Sequence, residues 1–191
     1  MNKDEIKDGI YTFAEYENLM QDSEIKYEFH DGRLRSMAGA RPVHNQICIR
    51  VGSAFYAALE EKGCEVYSSD QAVQIKEYDR YVYPDITVVC EEPDYYKSLY
   101  LKNPSVIVEV LSKGTKGFDA YDKYIFYRSL PSLKEYLLVD TMKPSITVHS
   151  RANEILWHTV VYIGLQGTVH LPNLDLHIPM CTIYKNIDFT A

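Results

Sequence analysis

The chain has 191 residues, a length typical of a single folded domain. Hydrophobic residues make up 46% of it and charged residues 25%, the proportions of an ordinary globular protein, which excludes collagen, coiled-coil rods and wholesale disorder. The formal net charge of −7 would repel nucleic acid if it were evenly distributed. A nucleic-acid-binding function therefore requires local basic regions.

Such regions are present, because the charge is uneven along the chain. Lys26 to Arg50 holds five basic and two acidic residues, and Ser112 to Lys134 holds the same numbers. Between them, Glu60 to Asp94 holds ten acidic and three basic residues. Two positive stretches flank an acidic middle, which leaves nucleic acid open as a partner without demonstrating it.

No apolar run approaches the ~18 residues needed to cross a bilayer, and the first residues carry no apolar signal segment. We therefore expect a cytoplasmic protein. The four cysteines, Cys48, Cys64, Cys90 and Cys181, show neither a C-x-x-C motif nor a Cys/His pair at zinc-ligand spacing. In a cytoplasmic chain they are expected to be reduced and mostly buried thiols.

The N-terminal part predicts a helix and a hairpin. The helix is expected over Thr12–Met20, with Thr12 as its N-cap and Glu15 completing a capping box. Residues Lys26–Met37 alternate apolar and polar side chains on both sides of Asp31-Gly32, which is a turn signal. This pattern is typical of a β-hairpin.

The middle of the chain predicts a long helix followed by strands. Apolar residues keep helical spacing from Val43 to Lys62, between Pro42 and Gly63. Four strands, a second helix and another strand are then expected, over Cys64–Ser68, Gln71–Lys76, Asp85–Cys90, Ser105–Leu111, Asp119–Leu130 and Glu135–Val139. The remainder is expected to form edge strands and loops, with strands at Ile146–Val148 and Ile155–Tyr162. This order predicts an α/β fold, in which a sheet carries helices on its faces.

Glu109 is the most informative single residue. It lies in the middle of an apolar strand, where an isolated ionised carboxylate is costly, so it must be neutral, paired or bound to a metal. Asp85 opens the preceding strand, and if the two strands are neighbours both carboxylates lie on one face. Oxygen ligands of this kind suit magnesium, which would relieve their mutual repulsion. A pairing of Glu109 with Lys or Arg, and a turn role for Asp85, explain the same residues equally well.

Lys123 lies in the helix that follows the strand of Glu109. A crossover helix packs back across the face of the sheet, so this lysine can reach the pocket of the two carboxylates. The alternative is a solvated lysine, or an i, i+4 pair with Asp119 that supports the helix.

Several motifs, in this order and spacing, resemble the Uma-type family of restriction-endonuclease-like proteins in the PD-(D/E)XK nuclease superfamily. They are Tyr27-Glu28-Phe29-His30-Asp31-Gly32-Arg33-Leu34, His44, Tyr83-Pro84-Asp85, Val108-Glu109-Val110-Leu111-Ser112, Thr115, Asp119, Lys123, Tyr127 and Leu137-Leu138-Val139-Asp140. The similarity covers roughly Tyr11 to Arg151. It implies a restriction-endonuclease-like domain over 1–191 with an α-β-β-β-α-β core and a mixed sheet. An N-terminal helix and hairpin would occupy 11–42, the nuclease core 43–140 and a C-terminal β extension 141–191.

The resemblance also implies a metal-dependent phosphodiesterase. Asp85 and Glu109 would bind magnesium, for which manganese can substitute, with the main-chain carbonyl of Val110 as a further ligand. Lys123 would orient the attacking water or stabilise charge that develops on the phosphate. The superfamily's usual lysine, two positions after the strand glutamate, is replaced here by Leu111. The following helix is therefore expected to supply it.

Glu28 and His44 are secondary candidates for the site. Glu28 would stand in for an acid that superfamily members place on the first core helix, or it forms an ion pair within the hairpin. His44 would contact phosphate or a ligand, or it makes a hydrogen bond at the helix entry. Gln74 lines the pocket or faces solvent. Five basic residues are expected beside the pocket, where phosphate contacts would help: Arg33, Arg35, Arg41, Lys113 and Lys116.

The leading interpretation is a magnesium-dependent endonuclease that hydrolyses DNA. A catalytically inactive nuclease-fold module for nucleic-acid binding or assembly remains open. So does a phosphodiesterase acting on RNA or nucleotides, because the site contacts only phosphate. We also expect a homodimer, because the tyrosine-rich stretches Tyr78–Tyr83 and Tyr95–Tyr100 can form an interface and a duplex has two strands to cut.

Overall fold

The computed structural model describes residues 9–22, 25–37, 39–91, 99–112 and 118–189, with the backbone alone for 22 and 118–122. The helices of these residues are α1 Phe13–Asp22, α2 Pro42–Leu59, α3 Phe118–Tyr127 and α4 Met180–Ile183. The strands are β1 Tyr27–His30, β2 Arg33–Ser36, β3 Glu65–Ser68, β4 Ala72–Ile75, β5 Arg80–Val82, β6 Ile86–Val89, β7 Tyr100–Leu101, β8 Val106–Leu111, β9 Glu135–Asp140, β10 Ser145–Arg151, β11 Trp157–Ile163, β12 Thr168–Leu171 and β13 Leu176–Pro179.

Six strands form the core sheet, in the order β11-β10-β9-β8-β6-β3. Strands β8 and β9 are parallel and are connected through α3, whereas the other neighbours are antiparallel. Helix α2, strands β3, β6 and β8, helix α3 and strand β9 thus follow the α-β-β-β-α-β order. The predicted α/β fold with a mixed sheet is confirmed.

Five further strands form a second sheet, in the order β2-β1-β5-β4-β7. The predicted strand Gln71–Lys76 belongs here as β4, paired with β5 and β7 rather than with the core strands. Strands β5 and β7 were not predicted, because two or three residues are too few to show an alternating pattern. The sheet brings the hairpin of β1 and β2 beside the core.

Three apolar clusters hold these layers together. The largest lies between α2, one face of the core sheet, the β12–β13 hairpin and α4. The second fills the space between the other face of the core sheet, α3 and the second sheet. In the third, α1 covers the second sheet through buried aromatic side chains, which include Tyr16, Phe29 and Tyr81. Tyr81, which belongs to the tyrosine-rich stretch Tyr78–Tyr83, is 4% exposed and packs inside the protein.

The local signals near the N-terminus are confirmed. The backbone N–H of Thr12 donates to Glu15 Oε2 at 2.7 Å and the backbone N–H of Glu15 donates to Thr12 Oγ1 at 3.3 Å, which is the predicted capping box. Asp31 and Gly32 both have positive φ, 48° and 80°, as a tight hairpin turn requires. Among the described residues, no helix is both long and apolar enough to cross a membrane.

The prediction of four reduced cysteines is wrong for one pair. Cys64 and Cys90 form a disulfide, whereas Cys48 and Cys181 are free thiols. The pair follows from the sheet, because β3 and β6 are antiparallel with Glu65 opposite Val89. One further step of that register brings Cys64 opposite Cys90.

Candidate active site

Asp85 and Glu109 lie opposite each other at the junction of β6 and β8. The two strands are antiparallel neighbours, with Ile86 opposite Val108. One further step of this register brings Asp85 next to Glu109. The Asp85 carboxylate contacts His44 of α2, whereas the Glu109 carboxylate contacts α3. The backbone N–H of Val110 donates to Asp85 Oδ2 at 2.7 Å, which fixes the position of that carboxylate.

Glu109 is 7% exposed and receives two contacts from α3. The Tyr127 hydroxyl donates to Glu109 Oε1 at 2.8 Å, and Lys123 Nζ lies 3.1 Å from the same oxygen. Burial raises the pKa of Glu109 to about 7, since the positive charge of Lys123 and the Tyr127 hydrogen bond only partly offset the burial and the negative charge of Asp85. This carboxylate therefore takes up a proton near neutral pH when no cation beyond Lys123 is bound.

Glu28 reaches the same region from the second sheet and is 6% exposed. His30 Nε2 lies 2.9 Å from Glu28 Oε2, and Arg80 Nη1 lies 2.6 Å from His30 Nδ1. Because the guanidinium can only donate, Nδ1 accepts and the Nε2–H of the ring donates to Glu28. Burial favours the neutral acid, yet the His30 hydrogen bond and the charge of Lys123 hold the pKa of Glu28 below its ordinary value.

His44 and Cys48 approach Asp85 from the first turns of α2. His44 Nε2 lies 3.3 Å from Asp85 Oδ2, and Cys48 Sγ lies 3.5 Å from His44 Nδ1. The hydrogen bond to Asp85 raises the pKa of His44 against the effect of burial, and a hydrogen bond to the Val110 backbone adds to it. Among the described residues, the three-ligand group around Asp85 consists of these three side chains, whose ligand atoms lie within 4.8 Å of one another. Glu109 is not part of that group.

One open cleft of about 1280 Å³ connects these groups. Most of the residues singled out in the sequence line it: Glu28, Arg35, Arg41, His44, Asp85, Glu109, Val110 and Lys123. Arg41 precedes the first residue of α2 in an extended conformation. Lys113, Thr115 and Lys116 lie outside the described residues, as does the side chain of Asp119. Gln74 donates to the Tyr81 hydroxyl at 2.5 Å within the second sheet instead.

The sequence analysis assigned no role to Tyr127, His30 or Cys48. Each stands at a regular spacing from a predicted residue: Tyr127 four positions after Lys123, Cys48 four after His44, and His30 two after Glu28. Residues four apart share a helix face, and residues two apart share a strand face. The spacing could have identified these neighbours, although it could not reveal which atoms they contact.

The donor set can hold a divalent cation in either of two ways. The carboxylates of Asp85 and Glu109, with the Val110 carbonyl, are the oxygen ligands that magnesium and manganese prefer. Both contacts from α3 fall on Glu109 Oε1, which leaves Oε2 as the ligand atom among the described contacts. The nitrogen of His44 and the sulfur of Cys48 beside Asp85 would instead favour a softer ion such as zinc.

Comparisons with known proteins agree with this architecture. Residues 13–180 match the model of the Uma2 family, described as "Putative restriction endonuclease". Uncharacterized protein sll1609 of Synechocystis is 33% identical over 157 residues, which cover 81% of this chain and 89% of that protein. Uncharacterized protein slr1290 of the same organism is 29% identical over 164 residues, covering 86% of each.

A solved structure shares the fold. It is described as a "putative nuclease belonging to DUF820" from Anabaena variabilis and superposes with a TM-score of 0.73 at 16% sequence identity. The match covers 91% of this chain and 97% of the other.

Proposed function

Because this chain belongs to the Uma2 family, we propose that it is a divalent-metal-dependent nuclease that hydrolyses phosphodiester bonds in DNA. The observation that carries the proposal is the convergence of Asp85, Glu109 and Lys123 at one cleft. The two acids come from neighbouring strands, and Lys123 Nζ is 3.1 Å from Glu109 Oε1. A pair of carboxylates with one ammonium group is the set of charges that metal-assisted phosphate hydrolysis uses.

Magnesium is the proposed cofactor, and manganese is expected to replace it. Asp85, Glu109 and the Val110 carbonyl would hold the ion, which when bound lowers the pKa of a water molecule and neutralises charge on the phosphate. The raised pKa of Glu109, about 7, supports this role, because a buried carboxylate of this kind gains most from a nearby cation.

Lys123 and Glu28 are the other proposed catalytic residues. The Lys123 side chain is 20% exposed, so it can reach into the cleft while it contacts Glu109. From there its ammonium would orient the attacking water or stabilise negative charge on the phosphate. Glu28, which His30 and Lys123 keep ionised, would complete the acidic cluster on the other side of the cleft.

The cleft margin supplies candidates for holding the DNA backbone. Arg41 and His44 are proposed to contact phosphate, because both line the cleft at the beginning of α2. Lys113 and Lys116 are proposed for the same role from the sequence alone. Such contacts position a nucleic acid without reading its sequence, so they predict little sequence specificity from this cleft.

Cleavage assays with matched variants test the proposal. Supercoiled plasmid, single-stranded DNA and RNA would be incubated with the wild-type protein and Mg²⁺ or Mn²⁺, and then with Asp85→Asn and Lys123→Ala. We expect metal-dependent DNA cleavage that each variant lowers by about 100-fold or more. Asp79→Asn and Lys134→Ala are the controls, because Asp79 is exposed and Lys134 pairs with Glu91 outside the cleft.

The alternatives give different outcomes in the same experiment. Preference for RNA or nucleotides would correct the substrate. Calorimetric binding of Mg²⁺ and DNA without cleavage of any substrate would contradict the nuclease and indicate a binding module. Metal-stimulated cleavage that survives both active-site substitutions would contradict the assignment of the site.

We also propose that the protein is a homodimer joined through β11, an edge strand of the core sheet. Its Val160, Val161 and Ile163 are 49%, 53% and 74% exposed, and no Asp, Glu, Lys or Arg occurs between Ile155 and Leu174. Exposed edge strands normally carry charges that prevent pairing with another chain. Antiparallel pairing of two copies centred on Val160 would oppose only uncharged residues.

Light scattering at micromolar concentration tests the dimer. Val160→Lys would put two ammonium groups opposite each other, so we expect it to yield monomers. Met142→Lys, at an apolar side chain that is 45% exposed elsewhere, should remain a dimer. A monomeric wild-type protein, or an unchanged mass for Val160→Lys, would contradict the interface.

A further inference from the structure

A second group of metal-ligating side chains lies on the β12–β13 hairpin, on elements that do not contribute to the cleft. His170 and His177 are directly opposite each other in this antiparallel pair. Their rings are stacked, with centroids 4.3 Å apart. The alternate residues of both strands, which include Val169 and Ile178, are buried in the main core, so both imidazoles face solvent.

Asp175 completes the group from the turn of the hairpin. One ligand atom from each of His170, Asp175 and His177 lies within 4.8 Å of the other two. Asp175 has a positive φ of 49°, a conformation that aspartate adopts more readily than most residues.

The turn that carries Asp175 is held from both sides. The backbone N–H of Asn173 donates to the buried Glu135 at 2.9 Å, and the Asn173 side-chain amide donates to the same oxygen at 3.0 Å. Lys62 Nζ donates to the carbonyl of Leu174 at 2.8 Å. The backbone positions of the turn are therefore set by the fold, which lowers the entropic cost of binding an ion.

We propose that His170, Asp175 and His177 form a binding site for zinc or a similar borderline-soft divalent cation. Two imidazoles and one carboxylate suit zinc, nickel or copper and disfavour magnesium, which prefers oxygen ligands. In a tetrahedral zinc site with bonds of 2.0–2.1 Å, ligand atoms are about 3.3 Å apart. The ligand atoms here lie within 4.8 Å of one another, and rotations of the three exposed side chains would bring them to that separation. Water would supply the fourth ligand.

A metal ion at this position would join the two strands and the turn of the hairpin. The hairpin covers one end of the main core through Val169, Leu171, Leu176 and Ile178. Zinc bound to the folded chain should therefore raise its melting temperature, by roughly 5 °C at a concentration well above the dissociation constant. This site is independent of the proposed nuclease activity.

The test is zinc titration of the full chain by calorimetry. The group His44–Cys48–Asp85 also offers zinc ligands, so the titration would be repeated with Asp85→Asn, which should retain the hairpin site. His177→Ala and Asp175→Asn should each weaken the hairpin site by about tenfold or more. Asn adopts positive φ, so Asp175→Asn keeps the turn. His158→Ala, at an exposed histidine of β11, is the matched control.

Proton NMR of the six histidine rings gives a second readout. Zinc should shift the ring signals of His170 and His177 in the Asp85→Asn protein while that of His158 stays unchanged. Two results together would overturn the proposal. Zinc would bind wild type and His177→Ala with equal affinity and stoichiometry, and the His170 and His177 ring signals of the Asp85→Asn protein would stay unmoved. The stacked imidazoles would then be only a cross-strand packing pair.

Discussion

The hydroxyl of Tyr127 donates to Oε1 of Glu109 at 2.8 Å, and this tyrosine is 1% exposed. The hydroxyl cannot turn to water, so it holds the carboxylate in one orientation. Lys123, one helical turn earlier, contacts the same oxygen. Because both donors contact Oε1, we propose that Oε2 is the atom available to a metal ion and that Tyr127 is a positioning residue.

Tyr127→Phe should therefore change how activity depends on pH. The Tyr127 hydrogen bond lowers the pKa of Glu109, so its removal raises that pKa above about 7 and keeps more of the carboxylate protonated at neutral pH. We expect a loss of cleavage rate of about tenfold near pH 7 that is largely recovered at higher pH. Tyr124→Phe, on the same helix, is the control. A uniform loss at every pH would contradict a role through Glu109.

The stability of the metal-free protein should fall as pH rises through neutrality. The pKa of Glu109 is raised from 4.5 to about 7, so the folded state holds a proton that the unfolded state has released. This contribution is fully present below pH 4.5 and is lost as pH rises through 7. Urea unfolding in the presence of a chelator should show this loss in wild type, and Glu109→Gln should lack it.

Magnesium should reverse that dependence, because it binds the ionised carboxylate. The stabilisation by Mg²⁺ should be small at about pH 5 and larger at about pH 8. Equal stabilisation at both pH values, or the same stabilisation in Glu109→Gln, would argue that the ion binds elsewhere.

Part of this site was accessible to sequence reasoning. Glu109 could be singled out because it is an acidic residue in an apolar strand. The capping box and the Asp31-Gly32 turn could be predicted because residues close together in the sequence determine them. The sequence analysis placed the two acids together only if their strands were neighbours. The pairing of β6 with β8 meets this condition and brings Asp85 next to Glu109. Local patterns thus located the acids without showing how buried they are.

Contacts across elements could not be predicted in the same way. Arg80 belongs to the three-residue strand β5, which gives no periodic signal, yet it sets the tautomer of His30 and through it supports Glu28. The separation into two sheets decides these contacts, because β1 and β5 pair with each other and not with the core. The free energy that selects this pairing comes from packing over distant segments, which one sequence does not reveal.

Lys123 should matter for stability as well as catalysis. Its charge lowers the pKa of both Glu109 and Glu28, so Lys123→Met should raise both and leave buried carboxylates less well compensated. Since the Lys123 side chain is 20% exposed, we expect a loss of about 1–3 kcal/mol near pH 8, below that of a fully buried pair. Urea unfolding of wild type and Lys123→Met measures this loss of unfolding free energy.

Lys134→Met provides the comparison for this loss. Its ion pair with Glu91 has side chains that are 43% and 64% exposed, so we expect a change within about 1 kcal/mol. Equal losses for the two variants would indicate that Lys123 contributes through its aliphatic stem rather than its charge.

The disulfide gives a prediction that does not involve the cleft. Cys64 and Cys90 are 26 residues apart, so their bond closes a loop that contains β3, β4, β5 and β6. In the chain-entropy account, closing such a loop in the unfolded state stabilises the fold by about 3 kcal/mol. Reductant should lower the unfolding free energy of wild type by about that amount and leave a Cys64→Ala/Cys90→Ala variant unchanged. Cys181→Ser, at a free and exposed thiol, should keep the wild-type response to reductant.

Thiol titration of the oxidised protein should detect only Cys48 and Cys181 after denaturation, and detection of all four cysteines would contradict the bond. Because β6 leads from Asp85 toward Cys90, the same bond fixes the far end of the strand that carries the proposed metal ligand at its beginning.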